Sequence, residues 1–142
     1  MTPKQYLMQL PRLAQMIRQR QIQIEELRAL MESTGGFDYS KPMVKSSPPP
    51  EPPYVELVSR LSEAEEHAWN LIRAYAAKQD EIIGRIERVP DERYQRLLCL
   101  RYVQGRSLQQ IADEMGYEYD WTRALHGRAL ETFGEINRDA LE

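Results

Sequence analysis

Two stretches of this chain repeat their apolar side chains on a seven-residue pattern, and a helix is what brings such a pattern onto one face. The first reads Leu10, Leu13, Ile17, Arg20, Ile24, Leu27, Met31, with Arg20 interrupting the seam. The second reads Tyr54, Leu57, Leu61, Ala64, Ala68, Leu71, Tyr75, Lys78, Ile82, drifting onto Ile83 and Ile86 near its end. Each predicts a helix of roughly 30 residues, about 45 Å long. Between them, residues 34–53 lack apolar periodicity, and 5 of the 9 prolines fall between 48 and 53. Consecutive prolines exclude both helix and ladder, so this segment reads as an extended linker. A spacer between helices is its plainest use; binding an SH3-type partner is the other. Near-equal lengths and a connector predict an antiparallel hairpin, its two stripes face to face, with Ala64 and Ala68 allowing close approach. A self-associating coiled coil would use the same stripes and is compatible with it.

Punctuation sharpens the ends. Thr2 and Gln5 fit a capping box around Pro3, and Pro11 cannot donate to the Leu7 carbonyl, which predicts a kink. The first helix should stop at Ser33-Thr34-Gly35-Gly36, and the second should run from about Tyr54 to Arg88. Val89-Pro90-Asp91 then breaks the chain, with Pro90 in the first turn of a new helix and Asp91 and Glu92 beside it. That helix carries Tyr94, Leu97, Leu98, Leu100, Arg101, Tyr102 and Val103 and ends at Gly105. Ser107-Leu108-Gln109-Gln110 is a second capping box, opening a short helix through Met115 that Gly116 closes. A last helix is expected from about Tyr119 through Leu130, fraying toward Glu142. With only 7 glycines in 142 residues, little strand-and-turn punctuation remains. The expected fold is all-α: a long antiparallel helical hairpin over 1–89, then a C-terminal three-helix helix-turn-helix domain over 90–142.

Charge and reactive residues exclude more than they suggest. The net charge is −3, and the three parts 1–33, 53–89 and 90–142 carry 5 basic against 3 acidic, 5 against 7, and 7 against 10 residues. Any nucleic-acid binding must therefore come from a local patch or a partner. The single cysteine, Cys99, excludes a disulfide framework, and His67 and His126 are far apart, so neither a metal site nor a cofactor is expected. No run approaches the roughly 18 apolar residues of a membrane span, and nothing near Met1 reads as a signal peptide, which makes the cytoplasm the default. Glu65 and Glu66 sit side by side on a helix surface, not across a cleft. Tyr117 and Tyr119 lack a basic constellation, and Cys99 lies on an apolar face. The expectation is a protein that is not an enzyme.

A short helix, a glycine and a second helix have the layout of a helix-turn-helix. Ala112 is small where two helices would cross, and Gly116 stands where the turn needs positive φ. Leu108, Ile111, Met115, Tyr117 and Leu125 are apolar at positions that face a small core. Thr122 departs, standing where Val or Ile usually packs.

Leu97-Leu98-Cys99-Leu100-Arg101-Tyr102-Val103-Gln104-Gly105 followed by Leu108 through Gly116 resembles region four of the sigma-70 class of transcription initiation factors. The Met115-Gly116-Tyr117 and Leu125-His126-Gly127-Arg128-Ala129-Leu130 segments, with Ser46-Ser47-Pro48 in the linker, are similar to RinA-like and ArpU-like regulators of phages and prophages. The resemblance covers nearly the whole chain, its specific motifs lying in 90–133. It implies double-stranded DNA binding in phage gene control inside a bacterial host, acting with host RNA polymerase. A homodimer through the long helices is a further expected partner.

The last helix supplies the candidate DNA contacts Tyr119, Asp120, Arg123, His126 and Arg128, with Arg106 before the short helix. Arg123 can take both acceptors of a guanine edge, while Arg128 and Arg106 suit phosphates. Asp120 suits a helix cap or a cytosine amine, and His126 either packing or a phosphate. Trp121 reads as a core or interface aromatic ahead of a base contact. Glu118 and Asp120 beside phosphates cost affinity. Two rival functions use the same features: a DNA-recognition subunit of a phage packaging machine, resembling a small terminase, and a protein-binding helix-turn-helix adaptor.

Overall fold

The computed structural model describes residues 1–35 and 52–142, so most of the expected linker at 34–53 lies outside the described residues. Among the described residues the fold is all-α. The helices are α1 (Pro3–Leu7), α2 (Gln9–Gly35), α3 (Pro52–Glu87), α4 (Glu92–Leu98), α5 (Leu108–Met115), α6 (Tyr119–Ile136) and α7 (Arg138–Leu141), with a π-helical turn at Cys99–Val103 after α4. No helix among the described residues is long and apolar enough to cross a membrane.

Local chemistry sets these boundaries. The Thr2 hydroxyl accepts from the Gln5 N–H at 3.1 Å, and the Gln5 side chain accepts from the Thr2 N–H at 2.9 Å, closing the expected box. The helix breaks at Met8, between α1 and α2, where Pro11 leaves the Leu7 carbonyl without its N–H partner. Asp91, not Pro90, starts α4: its carboxylate accepts from the Arg93 N–H at 2.9 Å, and Pro90 lies one residue ahead of this cap. Carboxylate capping wins because it satisfies an orphan donor, whereas proline only removes one. The C-terminal helix also differs from expectation. Instead of fraying after Leu130, α6 continues to Ile136 because Phe133 is completely buried.

The chain forms two compact units, Met1–Ala14 with Ala74–Glu142, and Gln15–Arg73. The expected boundary at residue 89 falls inside the first. That unit has two apolar clusters. Tyr6, Leu7 and Leu10 join Ile82, Ile86 and Val89, Leu98 and Tyr102, and Ala129 and Phe133 in the larger one. Leu97, Leu100, Ile111 and Leu125 make the smaller. Consecutive residues of one helical stretch thus serve different clusters: Leu98 and Tyr102 one, Leu97 and Leu100 the other. Around the larger cluster, the Tyr6 hydroxyl donates to Glu81 at 2.9 Å, and Arg85 holds Asp139 at 2.6 Å. The buried Asn137 amide donates to the carbonyls of Arg85 at 3.2 Å and Phe133 at 3.1 Å.

The Gln15–Arg73 unit pairs the later part of α2 with the early part of α3. From Gln15 to Ser33, only Ile17, Arg20, Ile24, Leu27 and Met31 are shielded from solvent, which reproduces the sequence repeat. Tyr54, Leu57, Leu61, Ala64, Ala68 and Leu71 are likewise shielded on α3. Met16 shares a groove with Leu71, and Arg28 reaches Glu65 at 3.1 Å. Only Leu27, Ala64 and Ala68 are fully buried in this unit among the described residues.

Candidate nucleic-acid interface

Five of the candidate residues sit on α6 and Arg106 lies just before α5, all within the larger unit, and α5 with its turn sets how α6 is presented. Ser107 caps α5 by accepting from the Gln110 N–H at 3.1 Å, and Gln110 returns a bond to the Ser107 N–H at 2.9 Å. Gly116 ends α5 with φ of 74°, left-handed backbone that a Cβ would strain. The Tyr117 N–H then bonds the Ala112 carbonyl at 2.9 Å, and two residues later α6 begins. Ile111 and Ala112 from α5 and Leu125 from α6 are buried, with Leu108, Met115 and Tyr117 half-buried around them.

Thr122 is fully buried where an aliphatic residue was expected. Its hydroxyl donates to the Glu118 carbonyl at 3.0 Å, which satisfies the polar atom inside the same helix and leaves the methyl to pack.

With Thr122, Leu125, Ala129 and Phe133 turned inward, α6 presents Tyr119, Asp120, Trp121, Arg123, Ala124, Gly127 and Arg128 to solvent. Arg123 lies over the Tyr119 ring at 5.9 Å, and Arg128 over the Trp121 ring at 5.4 Å. Both guanidiniums therefore rest on an aromatic face, a cation–π contact that limits their rotamers without neutralising their charge. Among the described residues neither makes an ion pair. Trp121 is 41% exposed, so it is no core residue: Leu125 fills the inward position one turn on. Asp120 does not cap α6. Glu118 holds the cap position without a side-chain bond, and Asp120 lies in the first turn, where its charge suits the positive end of the helix.

The other two candidates are engaged inside the unit. Arg106 forms an ion pair with Glu114, and its carbonyl accepts from Arg101 at 3.1 Å. His126 is half-buried, its Nε2 lying 2.8 Å from the Tyr102 hydroxyl. Removal from water pushes its pKa down to about 4, with Arg101 and Lys4 acting in the same direction, so the ring is neutral at ordinary pH. Burial also raises the Tyr102 hydroxyl and the Cys99 thiol, leaving the cysteine protonated and poorly nucleophilic.

Sequence reasoning missed Tyr102 as the partner of His126 and missed the π-helical turn that carries it. A signal existed: Leu97, Leu98, Leu100 and Tyr102 are too many apolar positions for one helical face, which implies two packing surfaces. No protein-family model matches this chain, and neither does any curated protein or solved structure.

Proposed function

We propose that the chain is a sequence-specific, double-stranded DNA-binding regulator of phage or prophage transcription, with the exposed face of α6 reading the major groove. One observation carries this reading: Arg123 and Arg128 stand at the two edges of the solvent-exposed side of α6, about 140° apart around the helix, steadied on Tyr119 and Trp121 and free of carboxylate partners among the described residues. A helix fits the major groove, and a guanidinium can take both acceptors of guanine there. In this reading Arg123 contacts a base, Arg128 a phosphate, and Asp120 a cytosine amine. Arg106 reaches a phosphate only by leaving or sharing Glu114, and His126 supports α6 through Tyr102. The net charge of −3 keeps affinity modest, which makes host RNA polymerase in the bacterial cytoplasm a fitting second partner.

A second reading has its own support. Tyr119 and Trp121 are 42% and 41% exposed beside two arginines, the residue types that dominate protein–protein hot spots. A protein-binding adaptor would use the same face. Selection from a randomised duplex library separates the two. The DNA reading gives an enriched motif that loses its preference at one base pair in Arg123→Ala. The adaptor reading gives no enrichment, with or without polymerase.

A further inference from the structure

We propose that the Gln15–Arg73 unit pairs with a second copy of itself, through the groove around Trp69, to complete a four-helix bundle. This does not depend on the DNA reading. The groove is lined by Ile24, Ala68, Trp69 and Ile72, with Glu25, Arg28 and Glu65 on its rim. Trp69 is 60% exposed, and Val55 and Val58 on the same helix are 57% and 40% exposed. Isolated exposed apolar residues need no explanation, but Trp69 opens onto a groove whose lining is half apolar, and Val55 and Val58 lie on the same side of α3 three to four turns earlier.

A pair of helices has no third layer to close its seam. Ile17, Ile24, Met31, Leu57, Leu61 and Leu71 all stay half-buried. Packing a second pair across the groove supplies that layer, as in four-helix bundles.

Charge selects the second copy over another partner. A two-fold axis sets a patch against itself, so a rim of one sign would repel its own image. This rim carries both signs, with Glu25 and Glu65 against Arg28. Arg28 reaches Glu65 at 3.1 Å with both side chains exposed, a weak pair that can rearrange to meet Glu25 of a second copy. A strongly basic or acidic partner would call for a rim of the opposite sign throughout. The size also fits. Two helices each about 30 Å long and about 10 Å wide offer roughly 600 Å² on one side, comparable to the ~800 Å² each partner gives to a standard interface.

Sedimentation equilibrium of the full chain, across a wide concentration range, tests this. The expected result is a reversible equilibrium between 16.7 kDa and twice that mass. Trp69→Glu should raise the dimer dissociation constant at least about thirtyfold, the effect of losing a hot-spot aromatic. Its helical circular dichroism should be unchanged, because Trp69 contributes little to the core of one chain. Val58→Glu should weaken the dimer in the same direction. Trp121→Phe leaves Trp69 as the only tryptophan, and its emission should shift to the red on dilution. A monomer at every concentration would overturn the proposal, whether Trp69 emission is that of an open ring or of one covered by the chain's own linker. A dimer that survives both glutamate substitutions, or open-ended polymers, would overturn it equally.

Discussion

The two units of this molecule use the same material, amphipathic helix, and reach different degrees of closure. In Met1–Ala14 with Ala74–Glu142, ten side chains are buried in one cluster and four in another. In Gln15–Arg73 only Leu27, Ala64 and Ala68 are fully buried among the described residues. The difference is one of layers. Short helices arriving from several directions enclose the first unit's apolar side chains on every side, whereas two long neighbours shield only the seam between them. A regular heptad repeat is therefore a strong signal for a helix and a weak one for a finished core.

Truncating apolar side chains to alanine should give the largest effects and the clearest contrast between units. Leu97→Ala and Phe133→Ala, at completely buried positions, should cost about 2–5 kcal/mol each in denaturant unfolding. Leu61→Ala and Leu71→Ala, at half-buried positions, should cost less than half as much. Equal losses would mean that the second seam is as closed as the first.

Acid should act on the first unit through His126. Its folded pKa, about 4, lies below the ordinary 6.5, so the neutral ring contributes stability above pH 6.5 that is lost as pH falls toward 4. The slope in that window should reach at most about 1.4 kcal/mol per pH unit for one proton. His126→Phe should flatten the slope between pH 6.5 and 4 and leave the acid loss that comes from Glu81, Asp91 and Asp139, whose carboxyls Lys78, Arg93 and Arg85 hold below their ordinary values. An unchanged profile in the variant would place the proton uptake elsewhere.

Glycine substitutions probe how tightly that unit is packed. A Cβ on Gly134 would meet the Pro3 ring at 2.8 Å, so Gly134→Ala should destabilise by about 1 kcal/mol despite alanine's better helix propensity. Gly127 has open space around it, and Gly127→Ala should stabilise by about 0.5–1 kcal/mol. Thermal melts of the pair should move in opposite directions. Thr122→Val should change stability by less than about 1 kcal/mol, because the Glu118 carbonyl keeps its bond from the residue 122 backbone N–H at 3.0 Å.

Periodicity and capping were readable where their causes are local. Both seams, both capping boxes and the glycine turn at Gly116 follow from residues within a few positions of one another. What escaped depends on distant partners. Phe133 extends α6 because Tyr6 packs against it, the ring centroids 5.8 Å apart, and Asn137 is buried because it bonds the Arg85 carbonyl. His126 had two sequence readings until Tyr102, 24 positions earlier, was placed 2.8 Å from it. Of the interface candidates, Arg123 and Arg128 were legible as exposed helix cations, but the aromatic rings beneath them depend on how α6 rolls against its core. Trp121 read as a core or interface aromatic, and its exposure removes the core half of that reading: hydrophobicity says what a side chain gains from burial, not which neighbour has already filled the space.

The reading of α6 as a DNA-binding face is tested most directly by titrating a short labelled duplex, of the sequence enriched by selection, at several salt concentrations. The parent should show a shallow log–log slope of about −2 to −3, because few cations are available to phosphates. Arg128→Ala should flatten it by about one unit and weaken specific and random duplexes alike. Arg123→Ala should lose about 1–3 kcal/mol on the selected duplex and much less on a random one. Parent-like binding by both variants, or no binding to any duplex with or without RNA polymerase, would contradict the reading and leave the exposed aromatic face of α6 to a protein partner.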